Sequence, residues 1–218
     1  MKVVVSGASQ CGKSNYIKFF DKNSMNVQVK GQTIAMDIAY VNFEGFQISL
    51  FGTPGLSRFR MMRDIILRGA DGIVFIFDAA NPKSDNDAIS ILNEIKNPKV
   101  PKVYLANKQD LKDARSPKMV QTQIKLSKDY KIFPSSIKTG QNIKESLKYL
   151  VSKILKKYKK LLQILCNYEN DIRGLAEKLR KNKMQMRDFL YALEIRRFIK
   201  IDRVNRVYRV NEVLKKLI

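Results

Sequence analysis

Gly7-Ala8-Ser9-Gln10-Cys11-Gly12-Lys13-Ser14 stands between a short apolar run, Lys2–Val5, and an amphipathic stretch, Lys13–Phe20. The spacing is G-x-x-x-x-G-K-[ST], and the flanks supply the strand before it and the helix after it that such a loop requires. Glycines let the backbone wrap closely around an anion, and amide N–H groups together with the helix N-terminus cradle a β-phosphate. In that arrangement Lys13 neutralises β- and γ-oxygens while the Ser14 hydroxyl reaches Mg²⁺. Gly7, Ser9, Gln10, Cys11, Gly12, Lys13, Ser14 and Asn15 are therefore the candidate phosphate contacts.

Working outward, the first 150 residues alternate in a βαβ manner. Ile38–Phe43 and Phe46–Phe51 flank Glu44-Gly45 and read as a hairpin. Ile73–Phe77 and Val103–Ala106 are continuous apolar segments, as strands buried on both faces are, with helical spacing between them over Ala88–Lys96. Lys131–Phe133 reads as a last strand, with a helix from Asn142 onward. The order predicts an α/β fold: a doubly wound, mostly parallel sheet with one antiparallel hairpin strand.

Asn107-Lys108-Gln109-Asp110 follows the apolar Val103–Ala106 segment, at the strand end where ligands bind in such sheets. A carboxylate there can accept two hydrogen bonds from the N1–H and exocyclic amine of guanine, a pair that adenine does not offer. Ser135-Ser136-Ile137-Lys138 follows later in the chain.

Together these segments resemble the Ras-like small GTPase superfamily over about residues 1–155. The likeness rests on the phosphate loop, Thr33 in QTIAMD, FGTPGLSRF (51–59), NKQD (107–110) and SSIKTG (135–140). The short gap between Thr33 and Gly52 is similar to Arf-like proteins, and the wording of TIAMD, FGTPG and RGADGIVFIFDA to prokaryotic GTPases related to the signal recognition particle receptor β subunit. The resemblance implies GTP/GDP with Mg²⁺, with Ser14 and Thr33 on the metal and Gly55 donating its N–H to the γ-phosphate. It further implies that Asn107 and Asp110 hold the guanine, that Lys108 stacks on it, and that Ser136, Ile137 and Lys138 support the base. Lys13, Thr33 and Gly55 are the expected catalytic set.

Two positions depart from the family pattern. Asp-x-x-Gly of the second switch is here Gly52-Thr53-Pro54-Gly55, so the carboxylate that would hold a Mg²⁺-bound water is missing. The family's Gln after that Gly is Leu56, which neither donates nor accepts a hydrogen bond. Slow intrinsic hydrolysis is expected, completed by a partner or by Arg58 or Arg60 in cis, unless the protein works mainly as a binding switch.

From Tyr149 the texture changes to a Lys- and Leu-rich helix running to Cys166. Helical patterns follow over Asp171–Arg180, with Asp171 as N-cap, and over Met184–Phe198. Two alternating strands end the pattern over Ile199–Val210, around a turn at Arg203–Arg206. Helix, turn, helix, hairpin resembles a small α+β winged helix-turn-helix domain, so the expected division is 1–155 and 156–218, joined by a continuous or nearly continuous helix. Leu175, Leu179, Phe189, Leu190, Leu193 and Phe198 read as that module's core.

The 218 residues carry 42 Lys+Arg against 20 Asp+Glu, a net +22. From residue 151 onward 19 basic residues face 7 acidic ones, a dense positive field that attracts polyanions. Lys181, Lys183, Gln185, Arg187, Arg203 and Arg206 are the candidate nucleic-acid contacts; docking of an effector or regulatory protein, or a purely structural cap, remain open. A nucleic-acid regulator on a degenerate GTPase scaffold and a membrane-receptor-type GTPase are the other readings.

The absence of histidine removes imidazole ligands and any Ser-His-Asp triad. Two cysteines make no disulfide framework, which points to the cytoplasm. No signal peptide, lipidation motif or transmembrane segment is expected: the longest apolar candidate, Gly72–Ala80, is half the roughly 18 residues a span needs.

Overall fold

The computed structural model describes residues 1–29, 32–95 and 100–216; side chains of 26–29, 32–35 and 57 lie outside that description. In chain order the elements are β1 (Lys2–Gly7), α1 (Lys13–Phe20), β2 (Met25–Val29), β3 (Gln32–Phe43), β4 (Phe46–Gly52), α2 (Arg60–Leu67), β5 (Gly72–Asp78) and α3 (Asp85–Glu94). They continue as β6 (Lys102–Asn107), α4 (Pro117–Gln123), β7 (Ile132–Pro134), α5 (Ile143–Asn167), α6 (Ile172–Lys178), α7 (Lys183–Ile195), β8 (Ile199–Asp202), β9 (Val207–Val210) and α8 (Glu212–Lys215).

Seven strands form one sheet in the order β2-β3-β4-β1-β5-β6-β7. β1 pairs in parallel with β4 and β5, β5 with β6, and β6 with β7. β3 is the reversed strand, antiparallel to β2 and joined to β4 through Glu44 and Gly45. Both turn residues have positive φ (49° and 82°), which the type I′ hairpin needs to match the twist of the strands it joins.

β5 is buried over its whole length, and its side chains alternate between faces. Ile73, Phe75 and Phe77 join Val4, Tyr104, Ala88, Ile91 and Val120 in one cluster under α3 and α4. The Phe75, Phe77 and Tyr104 rings lie 4.8–6.3 Å apart, and each such buried side chain contributes about 1.5–3 kcal/mol. On α5, Ile143, Leu147, Leu150, Val151 and Ile154 are buried at helical spacing, and Gly72 lets the helix close in, because a Cβ there would meet Ile154 at 2.7 Å. Parallel register brings the C-terminal ends of β1, β4, β5 and β6 to one edge: Val5 lies opposite Gly52, Gly7 opposite Ile76, and Asp78 opposite Asn107.

Several expectations are adjusted. The predicted α3 over Ala88–Lys96 begins earlier, at Asp85, and Lys96 lies outside the described residues. The hairpin's first arm is twelve residues long rather than six and takes in Thr33. β2, α2, α4 and α8 carry no counterpart in the sequence reading.

The chain divides into two compact units, Lys2–Val41 with Ile48–Ile154, and Met1 with Asn42–Gln47 and Leu155–Ile218. Within the second, Asp171 caps α6 by accepting from the Gly174 N–H at 2.8 Å, and Asn182 with Gln185 forms a reciprocal capping box on α7. Its interior is built on Leu165, Leu175, Leu190, Leu193, Phe198 and Tyr208, whose hydroxyl donates to the Leu165 carbonyl at 2.7 Å. Two expected core residues, Leu179 and Phe189, are only half-buried. Met186 takes the inward place instead, one turn before Leu190.

Candidate functional site

The phosphate loop emerges from β1 between positions where only glycine fits. Gly7 has φ 142°, and a Cβ there would collide with the Ile76 carbonyl oxygen. Gly12 has φ 111°, and a Cβ would come within 2.6 Å of Asn107 Nδ2 and 2.8 Å of Ile137 Cδ1. Gln10 also adopts positive φ, 59°, so successive amides turn inward as an anion nest needs. Lys13 reaches back across the loop, its ammonium donating to the Ala8 carbonyl at 2.6 Å. Ser14 is half-buried at the start of α1; Ser9, Gln10 and Asn15 are exposed. Burial pushes the Cys11 thiol up despite the opposing charge of Lys13, so it stays protonated and its part in the loop is through its backbone.

At the other end, Asn107 fastens two loops together. Its Nδ2 donates to the Cys11 carbonyl at 2.9 Å, and its Oδ1 accepts from the Ile137 N–H at 3.2 Å. Ser136 Oγ donates to Asp110 Oδ1 at 2.6 Å and accepts from the Thr139 N–H at 3.2 Å. The Ser136 hydroxyl, then the aspartate's own N–H and the Lys138 and Lys108 charges, outweigh burial and hold the Asp110 carboxyl below its usual range. Asp110 is exposed and, being ionised, purely an acceptor: the chemistry needed for a guanine edge. Lys108 has φ 70°, and its ammonium pairs with Asp78 at 2.6 Å, which lays the side chain along the strand ends.

The FGTPG segment reaches the same place from β4. A Cβ on Gly55 would stand 2.6 Å from both Lys13 Nζ and the Ser9 amide nitrogen, so its backbone lies directly on the phosphate loop. Thr53 Oγ1 donates to Ser6 Oγ at 3.0 Å and the Thr53 N–H to the Val5 carbonyl at 2.9 Å, fixing the segment to β1. Leu56 follows, 42% exposed. Neither arginine expected to act in cis is aimed at the loop: the Arg58 guanidinium lies 4.9 Å over the Phe59 ring, and Arg60 lines a surface depression with Ser90, Asn93 and Glu94. The side chain of Thr33, the expected metal ligand, lies outside the described residues.

Other residues support the site without having been read from the sequence. Arg63 is fully buried, donating to both Glu94 carboxylate oxygens at 2.8 Å and to the Leu56 carbonyl at 2.6 Å. Arg115, also buried, donates to the Asp78 and Ala79 carbonyls and to Asp85, while Gln109 donates to its carbonyl at 2.9 Å. Asp37 on β3 is 2% exposed, lies beside Gly52, and has one carboxylate oxygen, Oδ1, with no hydrogen-bond partner. The carboxylates that Arg63 and Arg115 pair with, Glu94 and Asp85, lie 31 and 30 residues away in sequence.

These groups fit a nucleotide with its metal. A Cβ on Gly55 would crowd the Lys13 ammonium and the Ser9 amide, Ser14 offers a hydroxyl in the same loop, and the orphaned Asp37 oxygen is an acceptor of the hard, anionic type that hydrated Mg²⁺ takes.

On the second unit the six candidate nucleic-acid contacts are largely engaged with their own neighbours. Lys181 lies 5.3 Å over the Phe189 ring, Gln185 is held in the α7 capping box, and Arg187 sits 3.5 Å from Asp188. Arg203 bonds Glu194 at 2.8 Å and lies over the Tyr191 ring. Lys183 and Arg206 are exposed. Beside them Met184, Tyr191 and Ile195 fall on one face of α7 at helical spacing and are exposed, as is Val204 in the β8–β9 turn.

Comparison with known proteins agrees with this geometry. Residues 2–156 match the model of the Ras family. The chain is 30% identical to Ras-related protein RabZ of Dictyostelium discoideum over 73% of each chain. It is 30% identical to Ras-related protein Rab-13 of Bos taurus over 72% of this chain and 80% of that one. An uncharacterized protein of Methanocaldococcus jannaschii is 33% identical over 52% of this chain and 73% of its own length. The chain belongs to the Ras family of small GTPases, which bind GTP and GDP with Mg²⁺ and hydrolyse GTP.

Proposed function

We propose that this GTPase is a slow, nucleotide-controlled switch, with its GTPase domain over 1–155 and a winged helix-turn-helix module over 156–218 that receives a protein partner in the cytoplasm. The observation that carries the slow turnover is Leu56. It follows Gly55 on the phosphate loop, where a group that orients water is needed, and it offers only hydrocarbon. Arg63 holds its carbonyl from the buried side. Gly7 to Asn15 would grip the phosphates, with Lys13 balancing their charge, and Ser14 and Thr33 would hold the metal. Asn107, Lys108, Asp110, Ser136, Ile137 and Lys138 would read and support guanine. When bound, Mg²⁺ would offset the charge that develops on the phosphate oxygens.

Single-turnover GTP hydrolysis tests this. Leu56→Gln is expected to raise the rate by about tenfold or more, and a rate equal to wild type contradicts the assignment.

The protein-docking reading rests on the exposed Met184, Tyr191 and Ile195 face, the exposed Val204, and basic neighbours already held by Glu194, Asp188 and Phe189. A second reading, nucleic acid, rests on the excess of 19 basic over 7 acidic residues from position 151. Titration of a labelled random DNA duplex separates them. Nucleic-acid binding gives an affinity that falls steeply with salt, whereas protein docking gives none above background.

A further inference from the structure

We infer that Asp37 supplies the metal-site carboxylate that the second switch lacks, taking the hydrogen bond from a Mg²⁺-bound water that an aspartate at position 52 would otherwise take. The inference rests on the GTPase reading above and concerns where this chain keeps one acid.

Gly52 ends β4, and its missing side chain has a definite direction. A Cβ there would point at Ile17 Cδ1, 3.1 Å away, on the buried face of α1, with the Cβ and amide nitrogen of Asp37 both 3.4 Å away. Asp37 therefore stands one strand over, beside the space that a residue-52 carboxylate would enter. Ile17 lies three residues after Ser14, so the two share a face of α1, and the Ser14 hydroxyl lies one turn back toward the phosphate loop.

Asp37 is buried to 2% exposure, and its Oδ1 has no partner. An acceptor shut away from water without a hydrogen bond is destabilising, the more so when charged. No ion pair reaches Asp37 among the described residues, whereas the other buried carboxylate of this edge, Asp78, has the Lys108 ammonium at 2.6 Å. A donor from outside the polypeptide accounts for the difference, and water on a divalent cation is the strong donor this site would hold. The glycine at 52 and the acid at 37 are then one exchange: the carboxylate moves to the neighbouring strand and the space it would fill is cleared.

The test uses the full chain loaded with a fluorescent GDP analogue, whose release is followed against free Mg²⁺, with release in chelator as the metal-free reference. Asp37→Asn keeps the shape and removes the charge. It is expected to raise the Mg²⁺ concentration at half-maximal slowing of release by about 10–100-fold. The double variant Asp37→Ala/Gly52→Asp, which puts the carboxylate back on β4, is expected to bring that midpoint to within a few-fold of wild type, and it serves as the second variant if Asp37→Asn does not fold. An unchanged midpoint in Asp37→Asn overturns the inference, and so does a double variant that folds and binds GDP but gains no slowing from Mg²⁺. A wild-type chain that binds no GDP analogue at all overturns the GTPase reading instead, a distinct result.

Discussion

The proposed guanine end and the proposed catalytic end of the site lie along one sheet edge yet are built differently. At the guanine end Asn107, Ser136 and Asp110 are held by bonds of 2.6–3.2 Å to two loops and to one another, and all carry the side chains the Ras pattern calls for. At the catalytic end two family side chains are gone, replaced by Gly52 and Leu56, and buried charges stand beside the gaps: Arg63 bonded to the Leu56 carbonyl, and Asp37 next to Gly52. Binding a ground state needs only a shaped and charged cradle, whereas turnover needs groups aimed at charge that develops in the transition state. On the proposed reading, a chain that keeps the first and gives up the second binds its nucleotide well and turns it over slowly.

The largest effect should come from the guanine end. Asp110→Ala is expected to weaken GDP binding by about a hundredfold or more, since two charge-assisted hydrogen bonds are lost, and to erase preference over ADP; competition titration reads both. Next is the buried clamp of the catalytic end. Arg63→Ala leaves Glu94 facing the protein interior and frees the Leu56 carbonyl, so thermal or chemical unfolding should report a loss of about 3 kcal/mol. Guanine selectivity should survive in the fraction that remains folded, and if it falls in step, the two ends are not separable in the sense argued above. The gain of about tenfold from Leu56→Gln comes after these.

The smallest expected effect sharpens the comparison through pH. Asp110 has a depressed folded pKa, so its binding contribution is present above the ordinary carboxylate value of 3.8 and is lost as pH falls through the lower, folded value. Ser136→Ala removes the first cause of that depression, so loss of GDP binding should begin at higher pH than in wild type, with a few-fold weakening at pH 7. Superimposable pH profiles would show that Ser136 positions the loop without acting on the carboxylate.

What could be read from the sequence follows the same division. The phosphate loop, β5 and β6 are contiguous patterns, each complete within a dozen residues, and the parallel sheet could be inferred from them alone. NKQD and the serine pair are short, but their chemistry is local. β2 was invisible because MNVQV is brief and half polar, and α2 because a buried arginine interrupts the apolar face of RMMRDIIL. α4 starts at Ser116-Pro117, where the Ser116 hydroxyl accepts from the Met119 N–H, a short polar signal with no apolar periodicity behind it. Phe189 and Met186 both fit an apolar face of α7, and only the neighbouring elements decide which turns inward. Arg63 with Glu94 and Asp37 with Gly52 are partners 31 and 15 residues apart, and nothing in either segment names the other.

The central claim is that the loop from Gly7 to Ser14 grips phosphates while Asp110 reads a guanine edge. The most direct measurement is to denature the purified protein and identify the released nucleotide by chromatography, with a GDP-against-ADP titration in Mg²⁺ on nucleotide-stripped protein. The account predicts close to one guanine nucleotide per chain and a strong preference for GDP. Released adenine nucleotide, or equal affinity for GDP and ADP, would contradict it.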